Sequence, residues 1–127
     1  MDREILFRGK DIYGKWLYGD LINLTNELKQ ICNHTQLEHA HSVDIKTIGQ
    51  YTGLLDKNGK KIFEGDIVKD EQSGYEYVIK WFSEYACFAL ANKNGHMEYD
   101  VDEFEMLVND LIVIGNIHDN PELLEVI

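Results

Sequence analysis

The sequence predicts a mainly β protein, and three observations lead to this fold class. Apolar and polar residues alternate at every second position through much of the chain, as half-buried strands require. Turn signals built from glycine, asparagine and aspartate separate these runs at short intervals. Helical periodicity is rare by comparison. We expect a small SH3-like or related β-barrel built on residues 60–117, with N-terminal strands packed on it and a short C-terminal helix.

Length and composition indicate one domain. A chain of 127 residues, of which 44% are hydrophobic, can bury a single core. The first residues mix acids, bases and apolar side chains, unlike a secretory signal, and the apolar runs are shorter than the ~20 residues of a membrane span. The two cysteines, Cys32 and Cys87, fit a reducing compartment. We therefore expect a cytoplasmic protein that does not enter a membrane.

Two strands are predicted near the N-terminus, Arg3–Arg8 and Lys15–Leu24, joined by a turn at Gly9–Gly14. The stretch 26–42 has a weaker pattern, which fits either a helix or a polar insertion between strands. We favour the insertion.

Four glycines between residues 47 and 69 raise the possibility of a phosphate or calcium loop. Gly53 and Gly59 have five residues between them where a Walker loop has four, and Lys61 stands where that loop needs a hydroxyl. The glycine spacing of an EF-hand calcium loop is missing too. We therefore interpret the stretch as β structure. Its predicted parts are the strand Tyr51–Leu55, the turn Asp56–Gly59, the strand Lys60–Phe63, the turn Glu64–Asp66 and the strand Ile67–Lys69.

Three further elements follow. In the segment EYVIKWF, every second side chain falls on one apolar face, to which Tyr75, Tyr77, Ile79 and Trp81 belong. The turn Asn92–Gly95 then reverses the chain. The almost continuous apolar run DLIVIGNI predicts a central strand. After it, Asn120 as an N-cap and Pro121 at the first helical position predict the C-terminal helix.

Charge is the strongest compositional signal. The net charge is −11, and the residues from 94 to 127 hold nine acids and no lysine or arginine. Such a field repels a nucleic-acid backbone, so direct binding of DNA or RNA is not expected. A basic protein partner fits this charge better.

The densest acidic group is the candidate partner-binding surface, and it consists of Asp100, Asp102, Glu103 and Glu105. If the segment YDVDEFEML is extended, neither of its faces is wholly apolar, so we expect an edge strand or a loop. General acid–base catalysis would need two carboxylates in different environments of one cleft, which the spacing does not indicate. A solvated acidic edge is the favoured interpretation.

A cluster of cysteine and histidine lies in the uncertain stretch, with the members Cys32, His34, His39 and His41. Thiolate and imidazole are the ligands that zinc prefers, but the spacing matches no standard zinc module. We regard these residues as weak metal candidates and expect no cofactor. No catalytic residue is assigned, because the chain lacks a nucleophile elbow and Cys87 has apolar neighbours.

Five motifs span the centre and the end of the chain. They are Q-Y-T-G-L at Gln50–Leu54, D-K-N-G at Asp56–Gly59, E-G-D-I-V at Glu64–Val68, V-I-G-N-I at Val113–Ile117 and N-P-E-L-L at Asn120–Leu124. With REILFRGK and GKWLYGDL near the start, they resemble the YopX-like family of phage and prophage proteins. The resemblance implies a small β-rich protein acting in the host bacterium, with a variable insertion at about residues 25–43. It implies no activity.

These observations lead to one functional hypothesis and two alternatives. The leading hypothesis is a non-catalytic phage accessory protein that binds a host or phage protein of basic charge through its acidic last third. The first alternative is a homo-oligomer that covers exposed strand edges with the help of Trp16, Tyr18 and Tyr51. The second alternative is a metal-dependent enzyme that uses the cysteine and histidine cluster.

Overall fold

The computed structural model describes residues 4–32 and 40–125. The chain forms two compact units, Met1–Tyr51 and Thr52–Ile127. Antiparallel strands are the main regular elements of both units, which confirms the mainly β fold class.

The first unit is a curled sheet. Its strands lie side by side in the order β4-β3-β2-β1-β5. The strand β1 begins at Phe7, later than predicted, and the predicted start at Arg3 lies outside the described residues. The strands of this unit are β1 (Phe7–Lys10), β2 (Trp16–Asn23), β3 (Lys29–Cys32), β4 (His41–Val43) and the first part of β5 (Gly49–Leu55).

The stretch 26–42 contributes β3 and the start of β4 where the structure describes it, so the helical alternative is not observed there. β3 pairs with β2 along its whole length. The side chains of Ile31 and Val43 face Gly9 of β1, where an added Cβ would lie 3.2 Å from Ile31 Cδ1 and 3.1 Å from Val43 Cβ. The Asp44 N–H also donates to the Lys10 carbonyl at 2.8 Å. The sheet therefore curls until the end of β4 reaches β1, and the described part of the stretch builds this unit's core.

The second unit contains the hairpin of β5 and β6 and a sheet of five strands in the order β10-β9-β8-β7-β11. Both predicted turns in its first part are confirmed, at Asp56–Gly59 and at Glu64–Asp66. The remaining elements are β6 (Lys61–Phe63), β7 (Asp66–Asp70), β8 (Glu76–Phe82), β9 (Cys87–Ala91), β10 (Met97–Tyr99), α1 (Val101–Leu107) and β11 (Leu111–Asn116).

The core of the second unit follows the predicted alternation in β8. Tyr77 and Ile79 are buried, whereas Tyr75 and Trp81, at the two ends of the same face, are exposed. The alternation therefore predicted the buried residues at the centre of the face correctly, whereas the two residues at its ends extend beyond the core. The buried cluster consists of Ile62, Val68, Tyr77, Ile79, Phe88, Leu90, Phe104 and Leu111.

The sheet of the second unit is open, so the closed barrel expected on residues 60–117 is not observed in the described part of the chain. β11, which the apolar run predicted as a central strand, is an outer strand. β10, at the opposite edge, has only three residues and an irregular register. Several outer backbone groups of β11 bond to turns and side chains, as set out below, and these bonds occupy part of the edge that a barrel would pair with β10.

The predicted C-terminal helix is a single 3-10 turn at Pro121–Leu124. Asn120 makes no side-chain cap to it, because its Oδ1 accepts the Asn116 N–H at 3.2 Å instead. The α-helix of the second unit lies earlier, at Val101–Leu107. The helices in the described residues are all too short or too polar to cross a lipid bilayer.

Candidate functional site

The four candidate acids lie at the start and along the outside of α1, which corrects the expectation of an extended edge or loop. The Asp100 side chain accepts the Glu103 N–H at 3.0 Å and acts as the N-cap. Two further acids occupy the first turn, where negative charge interacts favourably with the helix dipole. The same acids that break the strand pattern therefore start a helix.

Phe104 orients α1. Its side chain is only 1% exposed and belongs to the core cluster, against which Leu107 and Val108 also pack. Residues three and four positions apart share one side of a helix, so these three side chains fix the buried side. Asp102, Glu103 and Glu105 are exposed, and we call these three residues the acidic face. Met106 beside them is 79% exposed.

Three hairpins use one turn pattern, in which an aspartate or asparagine is followed three residues later by glycine. In each, the first side chain's Oδ1 accepts the backbone N–H groups two and four residues later, at distances of 2.9 to 3.1 Å. Such bonds are why Asp and Asn favour turns. We name them the Asp11 turn (residues 11–15), the Asp56 turn (residues 56–60) and the Asn92 turn (residues 92–96).

The Asp56 turn does more than reverse the chain. Asp56 is only 7% exposed, and its second oxygen, Oδ2, accepts the Val113 N–H at 3.0 Å. The next residue, Lys57, donates its backbone N–H to the Leu111 carbonyl at 2.8 Å. Lys57 Nζ also lies 2.7 Å from Glu71 Oε1, and that hydrogen bond raises the pKa of the lysine. The D-K-N-G motif thus contacts the outer edge of β11, a contact that no local sequence signal indicated.

Three further backbone groups of β11 bond to two other segments. The Leu111 N–H donates to the Val108 carbonyl, and Asn116 exchanges two bonds with Asn120. Gly115 permits this exchange, since an added Cβ would lie 2.5 Å from Asn120 Oδ1. Three of the motifs that carry the family resemblance, D-K-N-G, V-I-G-N-I and N-P-E-L-L, therefore meet at one strand edge and serve the fold.

The cysteine and histidine candidates do not form a site in the described residues. Cys32 is buried in β3, and His41 is exposed on β4. His41 lies opposite Ile31, the neighbour of Cys32, so the two candidate side chains point to opposite faces of the sheet. His34 and His39 lie outside the described residues. Among the residues that the structure describes, no group of three or more potential ligands comes together.

The aromatic candidates for self-association differ in exposure. Tyr51 is buried and cannot present its ring to a partner, whereas Tyr18 is exposed. Trp16 is half-buried beneath two cations, with Arg8 Cζ 4.7 Å and Lys10 Nζ 5.4 Å from its ring centre. Of the three aromatic residues, Tyr18 has the most exposed side chain.

Two further features of the second unit are a tyrosine with a raised pKa and an open groove. Burial, with a hydrogen bond to Tyr99 as the next cause, raises the pKa of Tyr77 to about 12, so this phenol stays protonated near neutral pH. An open groove of about 500 Å³ lies between residues 74–76 and 92–94. Lys93 Nζ and Glu76 Oε1, 3.0 Å apart, neutralise each other there. Neither feature provides the paired carboxylates or activated nucleophile that catalysis would need.

Comparisons with known proteins agree with the geometry. The profile of the family described as YopX protein matches residues 6–125. The crystal structure of protein EF1440 from Enterococcus faecalis is similar, with a TM-score of 0.61 and 23% identity over 98% of this chain and 100% of that chain. At this identity the likeness shows the fold alone. No curated protein matches the sequence.

Proposed function

The chain belongs to the YopX protein family, and on that premise we propose that it is a phage or prophage accessory protein that binds a basic protein partner and catalyses no reaction. The proposed binding surface is the acidic face of α1. The proposed setting is the cytoplasm of the host bacterium.

The single observation that carries this proposal is the acidic face itself. Its three carboxylates are exposed on one short helix, and the last turn of α1 contains no basic residue. The surrounding sequence adds to the field, since residues 94–127 contain nine acids and no lysine or arginine. A concentrated field of one sign speeds encounter with a partner of opposite charge and selects against acidic partners.

Charge reversal on α1 tests the proposal. The variant combines Asp102→Lys, Glu103→Lys and Glu105→Lys and leaves Asp100 unchanged, because Asp100 caps the helix. The tagged protein is used to capture partners from host lysate at low and at high salt, and mass spectrometry identifies them. We expect the wild type to retain a basic protein at low salt and to release it at high salt, since exposed charges are screened within ~10 Å at 0.1 M salt.

The matched control reverses the same number of charges elsewhere, with Glu27→Lys, Glu84→Lys and Glu125→Lys, all of which are exposed. The control should retain the partner and the α1 variant should lose it. Equal capture by both variants would show that the acidic face is not the binding surface. Equal loss in both would show that only the net charge matters.

A further inference from the structure

We infer that the outer edge of β11 is a latent interface for a second copy of this chain, and that Asp56 and Lys57 keep it closed. An outer strand presents backbone donors and acceptors that can pair with another strand. Natural sheets cover or interrupt such edges to prevent association. In this protein the cover is a turn from the same unit.

The geometry of the cover is specific. In an antiparallel ladder, successive residues point their backbone groups alternately towards and away from the neighbouring strand. Leu111 and Val113 bond outwards, away from β7, to Lys57 N–H and Asp56 Oδ2 at 2.8 and 3.0 Å. Together the carboxylate and the amide replace one acceptor and one donor of a missing strand. The pairing positions in the first half of the edge are therefore occupied.

The composition of β11 favours a second copy as the occupant. The strand reads LIVIGN and carries no charge, so two antiparallel copies would place apolar side chains opposite one another. A two-fold axis would make the pairing self-complementary. The net charge of −11 opposes the approach of two copies, so the association should strengthen as salt increases. This dependence is opposite to that expected for a basic partner on α1.

Lys57→Pro is the mildest variant that loosens the cover, because it removes one of the two bonds that hold the turn against β11. Lys57 is the second residue of the Asp56 turn, where proline is favoured, so the turn should remain while the N–H bonded to Leu111 is lost. Lys57→Ala is the matched control, because it removes the ion pair with Glu71 and keeps the N–H. We expect the mass of Lys57→Pro, measured by light scattering over a concentration series, to rise towards twice that of Lys57→Ala.

Asp56→Asn opens the edge at the second position. An asparagine that holds the turn through Oδ1 would direct its NH₂ group at the Val113 N–H, so two donors would face each other. Asp11→Asn is the control, since its two bonds stay within its own turn. Adding Ile112→Lys, a charge on the opened edge, should return either variant to the mass of the wild type.

The inference is overturned if Lys57→Pro, with a wild-type circular dichroism spectrum, keeps the mass of Lys57→Ala at every salt concentration. It is also overturned if Ile112→Lys leaves the mass gain unchanged, since association would then use another surface. Capture of a basic partner through α1 is measured separately, and its failure would not alter these masses.

Discussion

The Asp56 turn and the Asn92 turn have the same backbone pattern and differ in the last atom of the first side chain. At both, Oδ1 accepts the N–H groups two and four residues later. At Asp56 the other atom is an oxygen that accepts the Val113 N–H, whereas at Asn92 it is an NH₂ group that donates to Glu98 Oε1 at 2.9 Å. The turn itself accepts either residue.

This difference shows that the choice between aspartate and asparagine follows from what the outer atom faces. A backbone donor faces position 56, so an acceptor is needed there. A carboxylate faces position 92, so a donor is needed. At the Asp11 turn, the same oxygen, Oδ1, accepts both backbone N–H groups, and both bonds stay within the loop. Exchanging the two residue types at the three turns therefore tests the comparison directly.

The largest effect is expected for Asp56→Ala. This change removes both turn bonds and leaves the part-buried Val113 N–H without its acceptor, and a buried donor left unsatisfied costs about 1–3 kcal/mol. We expect the free energy of unfolding, measured by urea denaturation, to fall by about 3 kcal/mol. Asp11→Ala, which loses only the turn bonds, should cost about 1 kcal/mol. Equal losses at the two sites would show that the bond to Val113 contributes nothing.

Asp56→Asn isolates that bond. The side chain can satisfy the turn or the Val113 N–H, but an amide with one oxygen cannot accept from both sides. We expect a loss of about 2 kcal/mol in urea denaturation. Asp11→Asn should stay within about 0.5 kcal/mol of the wild type, as is usual for surface changes. A loss in Asp11→Asn as large as in Asp56→Asn would mean that aspartate is preferred by the turn and not by its surroundings.

The same comparison explains which parts of the fold could be predicted from the sequence. Turn chemistry is local, so the Asp56–Gly59 and Asn92–Gly95 turns could be predicted, together with the strands before and after the first of them. The partner of Asp56 Oδ2 lies 57 residues away along the chain, and no local pattern indicates it. Asn120 was misread for a related reason, because a good N-cap residue was bound by Asn116 from the preceding strand.

Two predictions were wrong, the central position of β11 and the extended conformation of the acidic segment in α1. In both cases, an element other than a neighbouring strand buries the apolar side chains or covers the backbone. An uncharged strand usually lies between two others, but β11 is covered on one side by a turn and by side chains. In the acidic segment, the alternation expected of a strand placed Phe104 on the same face as Asp100 and Asp102. In the helix that forms instead, Phe104 lies on the same side as Leu107 and Val108 and packs with them into the core. The four acids of the candidate surface could be named from the sequence, but the capping role of Asp100 could not.

Asn92→Asp makes the reverse exchange. In the wild type, the Asn92 NH₂ group donates to Glu98 Oε1. The new carboxylate cannot donate, so two negative charges would face each other at this position. We expect a loss of about 0.5–1 kcal/mol at low salt, because both side chains are solvent-accessible and the repulsion is screened. The loss should shrink at high salt.

The double variant Asn92→Asp with Glu98→Gln is the control, because glutamine can donate to the new carboxylate. Its free energy of unfolding should return close to that of Glu98→Gln alone. A loss that persists in the double variant would show that the turn, and not Glu98, requires asparagine.

The turn between β8 and β9 has a different residue at the position that needs a left-handed backbone. The Asp11, Asp56 and Asn92 turns place glycine in this region, at φ values of 78, 81 and 88° for Gly14, Gly59 and Gly95. The β8–β9 turn places Ala86 there instead, at φ 50°. A side chain in this region is strained, and glycine relieves the strain but gives the unfolded chain more freedom, which offsets about 0.4–1 kcal/mol. We expect Ala86→Gly to raise the free energy of unfolding by about 0.5 kcal/mol, the smallest effect in the series. Ala86 is exposed and lies outside the core cluster, so the substitution removes no core packing. A loss of stability would therefore mean that the backbone strain at Ala86 is smaller than the entropy cost of the extra freedom that glycine gives the unfolded chain.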